Sequence, residues 1–351
     1  GPIKGLIEEG EMVLHTFYPA RGQITDRYGN PLAANRMVYE VGVNLQDVEN
    51  PHTIAMLLNK VIGLEYKEVY AIASQKYDPV TASYARIKDN VSKEQIDELL
   101  KLKKEMADLY GESGEADHPS LSGLVFTSHL LRTYPEKTLA SNIIGFVAED
   151  DRAPNSYRGY FGVEGKYDAL LAGTPRRIPV PRNPNRVIEF PEVPDGASLI
   201  LTIDREIQHA MEEIVDNTVE RTGSTSATIV VLDPKTGEIL AIATTPRLDL
   251  NEYWKLSEVF PPEQKIPFNR AVSQTYEPGS VFKVLTMAAA LDAGIVTPDT
   301  VFTDTGAFEI GGITIRNWDG GAWGPQTMLG CMQNSLNVCL AWVAWHTGAQ
   351  K

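Results

Sequence analysis

Ser280 and Lys283 are the pair in this sequence best placed for nucleophilic chemistry. They lie in Tyr276-Glu277-Pro278-Gly279-Ser280-Val281-Phe282-Lys283. Pro-Gly makes a turn, a helix is expected to begin at Ser280, and residues three apart share one helix face. The rest of that helix has almost no polar side. Val281, Phe282, Val284, Leu285, Met287, Ala288, Ala289, Ala290 and Leu291 point in every direction, and Gly294 supplies a stop. The pattern predicts a helix buried all round. A lysine inside it is costly to charge unless paired, so its amine is pushed toward the neutral, proton-accepting form. A serine beside such an amine becomes a nucleophile, and the helix N-terminus favours negative charge developing nearby. An isolated S-x-x-K string also fits a capping serine with a lysine that snorkels to the surface; the Pro-Gly lead-in and the apolar helix favour chemistry.

A second polar group is Asn334-Ser335-Leu336-Asn337, a break between the apolar runs 328–332 and 338–345. If the segment is extended, side chains at i and i+2 point the same way. Ser335 is then placed to relay a proton, and Asn337 to bind a substrate amide through both of its polar groups. The bland alternative is a plain helix–helix loop.

The elements that must hold these residues are legible in outline. Residues 1–50 are turn-rich around Asp26-Arg27-Tyr28-Gly29-Asn30-Pro31. Helical periodicity follows at Ile54, Leu57, Leu58 and Val61. An amphipathic helix starts at Ser92, which forms a capping box with Gln95. Residues 111–120 read as a polar loop. Prolines 179, 181, 184, 191 and 194 punctuate 178–196 as an interdomain connector would, although Val187, Ile188 and Phe190 also suit a strand. A strand is predicted at 199–203, then a helix capped by Asp204, then strands 227–232 and 239–244 joined by Asp233-Pro234-Lys235-Thr236-Gly237 in hairpin-turn chemistry. Helix beside antiparallel hairpin begins an α+β layer structure.

Composition sets bounds. The 351 residues are 43% hydrophobic and 22% charged with a formal net charge of −14, the make-up of a globular protein of two or three domains. No segment is dense in lysine and arginine, so nucleic acid is not an expected partner. No window of about 18 apolar residues spans a membrane, and Gly1-Pro2 reads as a scar of tag removal. The six histidines are scattered without metal-ligand spacing, so no metal is expected. Cys331 and Cys339 sit in apolar surroundings. One continuous helix would hold them about 12 Å apart, too far for a disulfide, so buried free thiols are expected.

S-x-x-K followed by Ser-x-Asn is the order found in penicillin-binding proteins and class A β-lactamases, which end with K-T-G. The N-terminal half sharpens this. Arg21-Gly22-Gln23-Ile24-Thr25-Asp26-Arg27-Tyr28-Gly29-Asn30-Pro31-Leu32-Ala33 resembles the opening signature of class B penicillin-binding proteins. Arg132-Thr133-Tyr134-Pro135, Gly159-Tyr160-Phe161-Gly162-Val163-Glu164, Leu201-Thr202-Ile203-Asp204 with Gln208, the segment 233–241, and Asn269-Arg270-Ala271 are similar to later signatures of that family, in the same order. Lys235-Thr236-Gly237 spells K-T-G but precedes Ser280, so it is assigned to the hairpin turn. The third motif itself would lie beyond Lys351.

The resemblance implies an α+β chain: an elongated N-terminal pedestal of the dimerisation type over 1–195, then over 196–351 the first part of a serine β-lactamase-like transpeptidase domain, with helices packed on an antiparallel sheet. It implies peptidoglycan D,D-transpeptidation through an acyl-enzyme on Ser280, with Lys283 as base, Ser335 as relay and Asn337 binding substrate. The Ser280 backbone N–H would be one oxyanion donor, and the implied reaction needs no cofactor. Implied partners are peptidoglycan stem peptides on lipid II-derived glycan, β-lactams, and a membrane glycosyltransferase. The implied location is the outer face of the bacterial cytoplasmic membrane, with any anchor outside this chain. Rivals are a D,D-carboxypeptidase or β-lactamase, against which the long pedestal argues, and a non-catalytic scaffold or β-lactam sensor, against which the four intact site residues argue.

Overall fold

The computed structural model describes residues 12–79, 81–110, 118–150, 152, 156–181 and 193–348. The chain divides into two compact units, Gly1–Gln274 and Thr275–Lys351. It is α+β throughout. No helix among the described residues is long and apolar enough to cross a membrane.

In the first unit, β1 (Met12–Phe17) pairs antiparallel with β8 (Arg176–Pro181). The start of the proline-rich connector is therefore a strand, which a two-stranded ribbon tolerates because its outward N–H positions need no partner. Val187, Ile188, Phe190, residues 111–117 and Gly1-Pro2 lie outside the described residues. The principal sheet is built on β3 (Pro31–Asn44), which pairs antiparallel with β2 (Ile24–Thr25), β4 (Tyr84–Val91) and β5 (Leu124–Thr133); β9 (Leu199–Ile200) joins parallel to β2. The helices Pro51–Ile62 and Lys93–Tyr110 lay Ile54, Leu58, Ile96 and Leu99 against Val41 and Val43 of β3. Each is capped by a side chain, the second at the Ser92 expected from the sequence. The Asn50 side chain accepts from the Thr53 N–H, and Ser92 and Gln95 exchange the two hydrogen bonds of a capping box, each 3.4 Å. A second core gathers Ile24, Leu32, Phe146, Leu248 and Phe268 around the small hairpin β6 (Phe146–Glu149) and β7 (Tyr157–Tyr160).

Three of the signature segments converge on one buried carboxylate. Glu164 is 0% exposed. It accepts from Arg21 Nε at 2.7 Å, from Arg132 Nε at 2.7 Å and from the Tyr134 hydroxyl at 3.3 Å. Two guanidiniums around one carboxylate repay its desolvation and hold distant segments in register. Burial beside Glu164 also pushes the Tyr134 hydroxyl far above its usual pKa, so it stays a neutral donor.

The helix Arg205–Thr222 follows Asp204, whose side chain caps the N–H groups of Glu206 and Ile207. It packs on the hairpin β10 (Thr228–Leu232) and β11 (Ile239–Thr244). Lys235-Thr236-Gly237 is the exposed turn of this hairpin. It closes through Asp233 N–H to Glu238 O at 2.9 Å, with Gly237 at φ +76° where a side chain would be strained.

The second unit has its own core. Its strands are β12 (Val301–Asp304), paired with β15 (Gly324–Thr327), and the hairpin β13 (Ala307–Ile310) and β14 (Ile313–Arg316). The helices Lys283–Asp292, Met328–Gln333 and Asn337–Thr347 bring Met287, Ala290, Cys331, Leu336, Cys339 and Leu340 together. Two expectations are corrected here. The Lys283 helix is not buried all round: Val281 is 65% exposed and Leu285 61%, because the helix buries only one stripe, Met287 and Ala290, in the core of this unit, and Val284, Leu285 and Leu291 remain exposed. Cys331 and Cys339 are not free thiols. They form a disulfide with Cα atoms 6.1 Å apart, since the helix does not run through both but breaks after Gln333 and restarts at Asn337, folding the second cysteine back beside the first.

Candidate active site

The Pro278-Gly279 turn, with Gly279 at φ +60°, leads into a 3-10 turn, Gly279–Phe282, and from there into the helix beginning at Lys283. The predicted helix start is thus a tighter turn. Residues three apart eclipse one another in such a turn, and the Lys283 N–H donates to the Ser280 carbonyl. Ser280 is exposed, and among the described residues no hydrogen bond joins its hydroxyl to the Lys283 amine.

The amine turns instead to the Ser335 segment. Lys283 Nζ donates to Ser335 O at 2.7 Å, Ser335 Oγ at 3.1 Å and Asn337 Oδ1 at 2.6 Å. An ammonium has three donors, and all three are used. None of the acceptors is a carboxylate. Desolvation is therefore uncompensated by an opposite charge and lowers the Lys283 pKa below the ordinary lysine range.

Ser335 and Asn337 reach one amine by a route different from the expected extended strand. Ser335 is left-handed, at φ +51°, an uncommon conformation for a residue with a side chain. That kink reverses the chain between two helices and sends both the Ser335 carbonyl and hydroxyl to the lysine. Asn337 is then the first residue of the next helix. Its Nδ2 donates to Arg316 O at 2.9 Å, which leaves Oδ1 as the end that faces Lys283.

Chemically, the arrangement brings Lys283, Ser335 and Asn337 into direct contact and stacks Ser280 one turn below the lysine. An uncharged acceptor shell around a desolvated amine suits a group that must shed a proton and take another. Open catalytic contacts are common without substrate and tighten when it binds. The sequence reading did not find the residues that hold this frame. Asn317 Oδ1 accepts the Val338 N–H at 3.2 Å, and Trp318 Nε1 donates to Asn334 O at 3.4 Å. In sequence, Asn317-Trp318-Asp319-Gly320-Gly321 looks only like turn chemistry.

Comparison with known proteins gives matching results along the chain. Residues 16–189 match the family model described as penicillin-binding protein dimerisation domain, and residues 227–351 match that of the penicillin binding protein transpeptidase domain. The stage V sporulation protein D of Bacillus subtilis is 29% identical over 346 residues, covering 95% of this chain and 48% of the relative. The peptidoglycan D,D-transpeptidase FtsI of Escherichia coli K12 is 29% identical over 340 residues, covering 95% of this chain and 53% of that one. The crystal structure of penicillin binding protein 2X from Streptococcus thermophilus superposes with a TM-score of 0.72 at 21% identity, over 96% of this chain and 50% of that chain, a likeness of fold. The chain spans about half the length of these relatives.

Proposed function

Because the chain belongs to the class B penicillin-binding proteins, we propose that it carries the acylation machinery of a peptidoglycan D,D-transpeptidase. The observation that carries this reading is the Lys283 amine, desolvated and held by Ser335 and Asn337 with no carboxylate partner. Neutral Lys283 takes the Ser280 proton as the hydroxyl oxygen attacks the D-Ala-D-Ala carbonyl of a stem peptide. The Ser280 N–H, among the first-turn donors that a helix start leaves without an internal acceptor, faces the developing oxyanion. Collapse breaks the peptide bond, the proton returns to the leaving amine, and D-alanine departs from an acyl-Ser280 ester. The amine of a neighbouring stem peptide then attacks that ester, forming the cross-link and restoring the serine. Ser335 relays protons between Lys283 and the leaving group, and Asn337 binds the substrate amide. A β-lactam acylates the same serine.

The proposal extends to context. The division at about residue 195, pedestal before and transpeptidase after, is supported by the matched segments 16–189 and 227–351 and differs from the division by packing, which groups residues up to Gln274 with the first unit. The reading places the site at the outer face of the cytoplasmic membrane, acting on glycan supplied by a glycosyltransferase. It also takes the transpeptidase fold to need further strands and a K-T-G segment. The support is physical: the apolar Val281, Val284 and Leu285 are exposed, and so are Val230 and Leu232 on the two-stranded β10–β11 sheet. Such a sheet is marginal by itself. Fluorescent penicillin labelling of the full-length protein, with the adduct mapped by mass spectrometry, tests the assignment. An adduct on Ser280 that vanishes in Ser280→Ala is expected; labelling elsewhere, or undiminished labelling of that variant, refutes it.

A further inference from the structure

A buried carboxylate with no cation beside it needs donors for its lone pairs. Asp304, at the end of β12, is 2% exposed and forms no ion pair among the described residues. Its oxygens accept from the Gly306 N–H at 2.7 Å and from Asn317 Nδ2 at 2.8 Å. Asn317 is itself 5% exposed, and its amide is fully used. Nδ2 also donates to Gly321 O at 3.0 Å, and Oδ1 accepts the Val338 N–H at 3.2 Å. Val338 is the second residue of the Asn337–Thr347 helix, so its N–H is one of those that the helix cannot satisfy internally. One residue earlier in each segment, Arg316 O accepts from Asn337 Nδ2 at 2.9 Å.

The corner Arg316-Asn317 therefore grips the helix start twice, once by main chain at the Asn337 side chain and once by side chain at the Val338 main chain. Rotation of the Asn337 amide would put donor against donor at Lys283, and displacement of the helix start would move the Ser335 carbonyl with it. We propose that Asp304 and Asn317 are positioning residues for the transpeptidase site. Asp304 fixes the Asn317 amide, Asn317 fixes the start of the Asn337 helix, and that start fixes the acceptors around the Lys283 amine. This rests on the reading of Ser280, Lys283, Ser335 and Asn337 as the acylation site.

The polarity of the pair makes it testable. Asp304→Asn leaves one carbonyl for two donors, so either Gly306 or Asn317 loses its acceptor. Adding Asn317→Asp restores the match: the amide now at 304 accepts from Gly306 and donates to the carboxylate at 317, whose other oxygen still accepts from Val338. The bond to Gly321 O is lost and a carboxylate oxygen then faces that carbonyl, so the repair is incomplete. In the full-length protein, the rate constant for acylation by fluorescent penicillin and the final labelling stoichiometry are measured separately. Misplacement of catalytic groups by about 1 Å costs up to about 10²-fold, so Asp304→Asn is expected to lower the rate constant about 10- to 100-fold while each folded molecule still labels once. The Asp304→Asn/Asn317→Asp pair is expected to recover part of that loss. If the single variant partly unfolds, stoichiometry falls but the rate constant of the folded fraction still reports on positioning. An unchanged rate constant, with or without lost stoichiometry, would mean that the pair only stabilises the fold. A double variant as slow as the single one overturns the proposal equally. Ser280→Ala, run alongside, isolates the underlying assignment: undiminished labelling there removes the site itself.

Discussion

Lys283 is held by three neutral oxygens and stripped of part of its water, and the two effects are unequal in their consequence. The acceptors are good partners for an ammonium, yet burial without a counter-charge wins and lowers the pKa. The neutral base is thus populated at lower pH than in ordinary lysine. Acylation is expected to rise with pH, with the midpoint of its rising limb below the ordinary lysine value of about 10.4. A rate measured against pH that is flat, or that rises only at the ordinary value, would speak against Lys283 as the base. Linkage has the matching sign. Between the folded and unfolded pKa values the unfolded chain binds more protons, so the contribution of this group to stability increases as pH rises through that window. Lys283→Arg keeps the charge but cannot give up its proton at working pH. It is expected to lower the acylation rate constant by about 10² or more, and near-normal rates in that variant would exclude proton transfer to residue 283.

At the scale of elements, the site depends on a broken helix. Ser335 at φ +51° sits between helices Met328–Gln333 and Asn337–Thr347, and left-handed backbone at a residue other than glycine costs of order 1–3 kcal/mol. Ser335→Gly removes that strain, keeps the carbonyl that accepts from Lys283, and deletes the hydroxyl. Its chemical denaturation midpoint is expected to be equal to or above the parent's while its acylation rate falls; a loss of stability would mean that the hydroxyl also holds the turn. The disulfide Cys331–Cys339 closes the same break. A loop this short contributes about 2–3 kcal/mol by restricting the unfolded chain. Cys331→Ser/Cys339→Ser is therefore expected to lower unfolding free energy by about that amount in urea titration. An undiminished free energy would show that the loop is already ordered when unfolded.

For the whole molecule, the contrast lies between helices whose apolar faces are covered and one whose face is not. Ile54, Leu58, Ile96 and Leu99 are all within the first core, whereas Leu285 is 61% exposed. Leu285→Asp in residues 1–351 alone is expected to change stability by less than about 0.5 kcal/mol, as exposed substitutions do, and to raise solubility. In the longer parent proposed above, the same substitution buries an unpaired charge and is expected to cost at least about 3 kcal/mol. Thermal and urea unfolding of both forms compares the two. Equal small effects would mean that nothing covers this helix, and the proposed additional strands would have to pack elsewhere.

Local chemistry was readable from the sequence. Caps at Ser92 and Asp204, the turn at Lys235-Thr236-Gly237, and the Pro-Gly turn ahead of Ser280 depend on atoms within a few residues of one another, so sequence and structure agree there. The order of the motifs was readable for the same reason, since each is a contiguous string. What the sequence could not supply is any relation between positions far apart in the chain. The left-handed Ser335 placed the two cysteines within disulfide reach where one continuous helix would have kept them apart. The three acceptors of Lys283 lie more than 50 residues away from it, and Glu164 draws its arginines from two other segments. Asp304 and Asn317 look like turn formers until burial removes the water that would otherwise satisfy them, leaving each to the other. Periodicity records which face of an element is apolar, but only the tertiary structure decides what, if anything, that face meets, and hence which polar groups are forced to find partners inside.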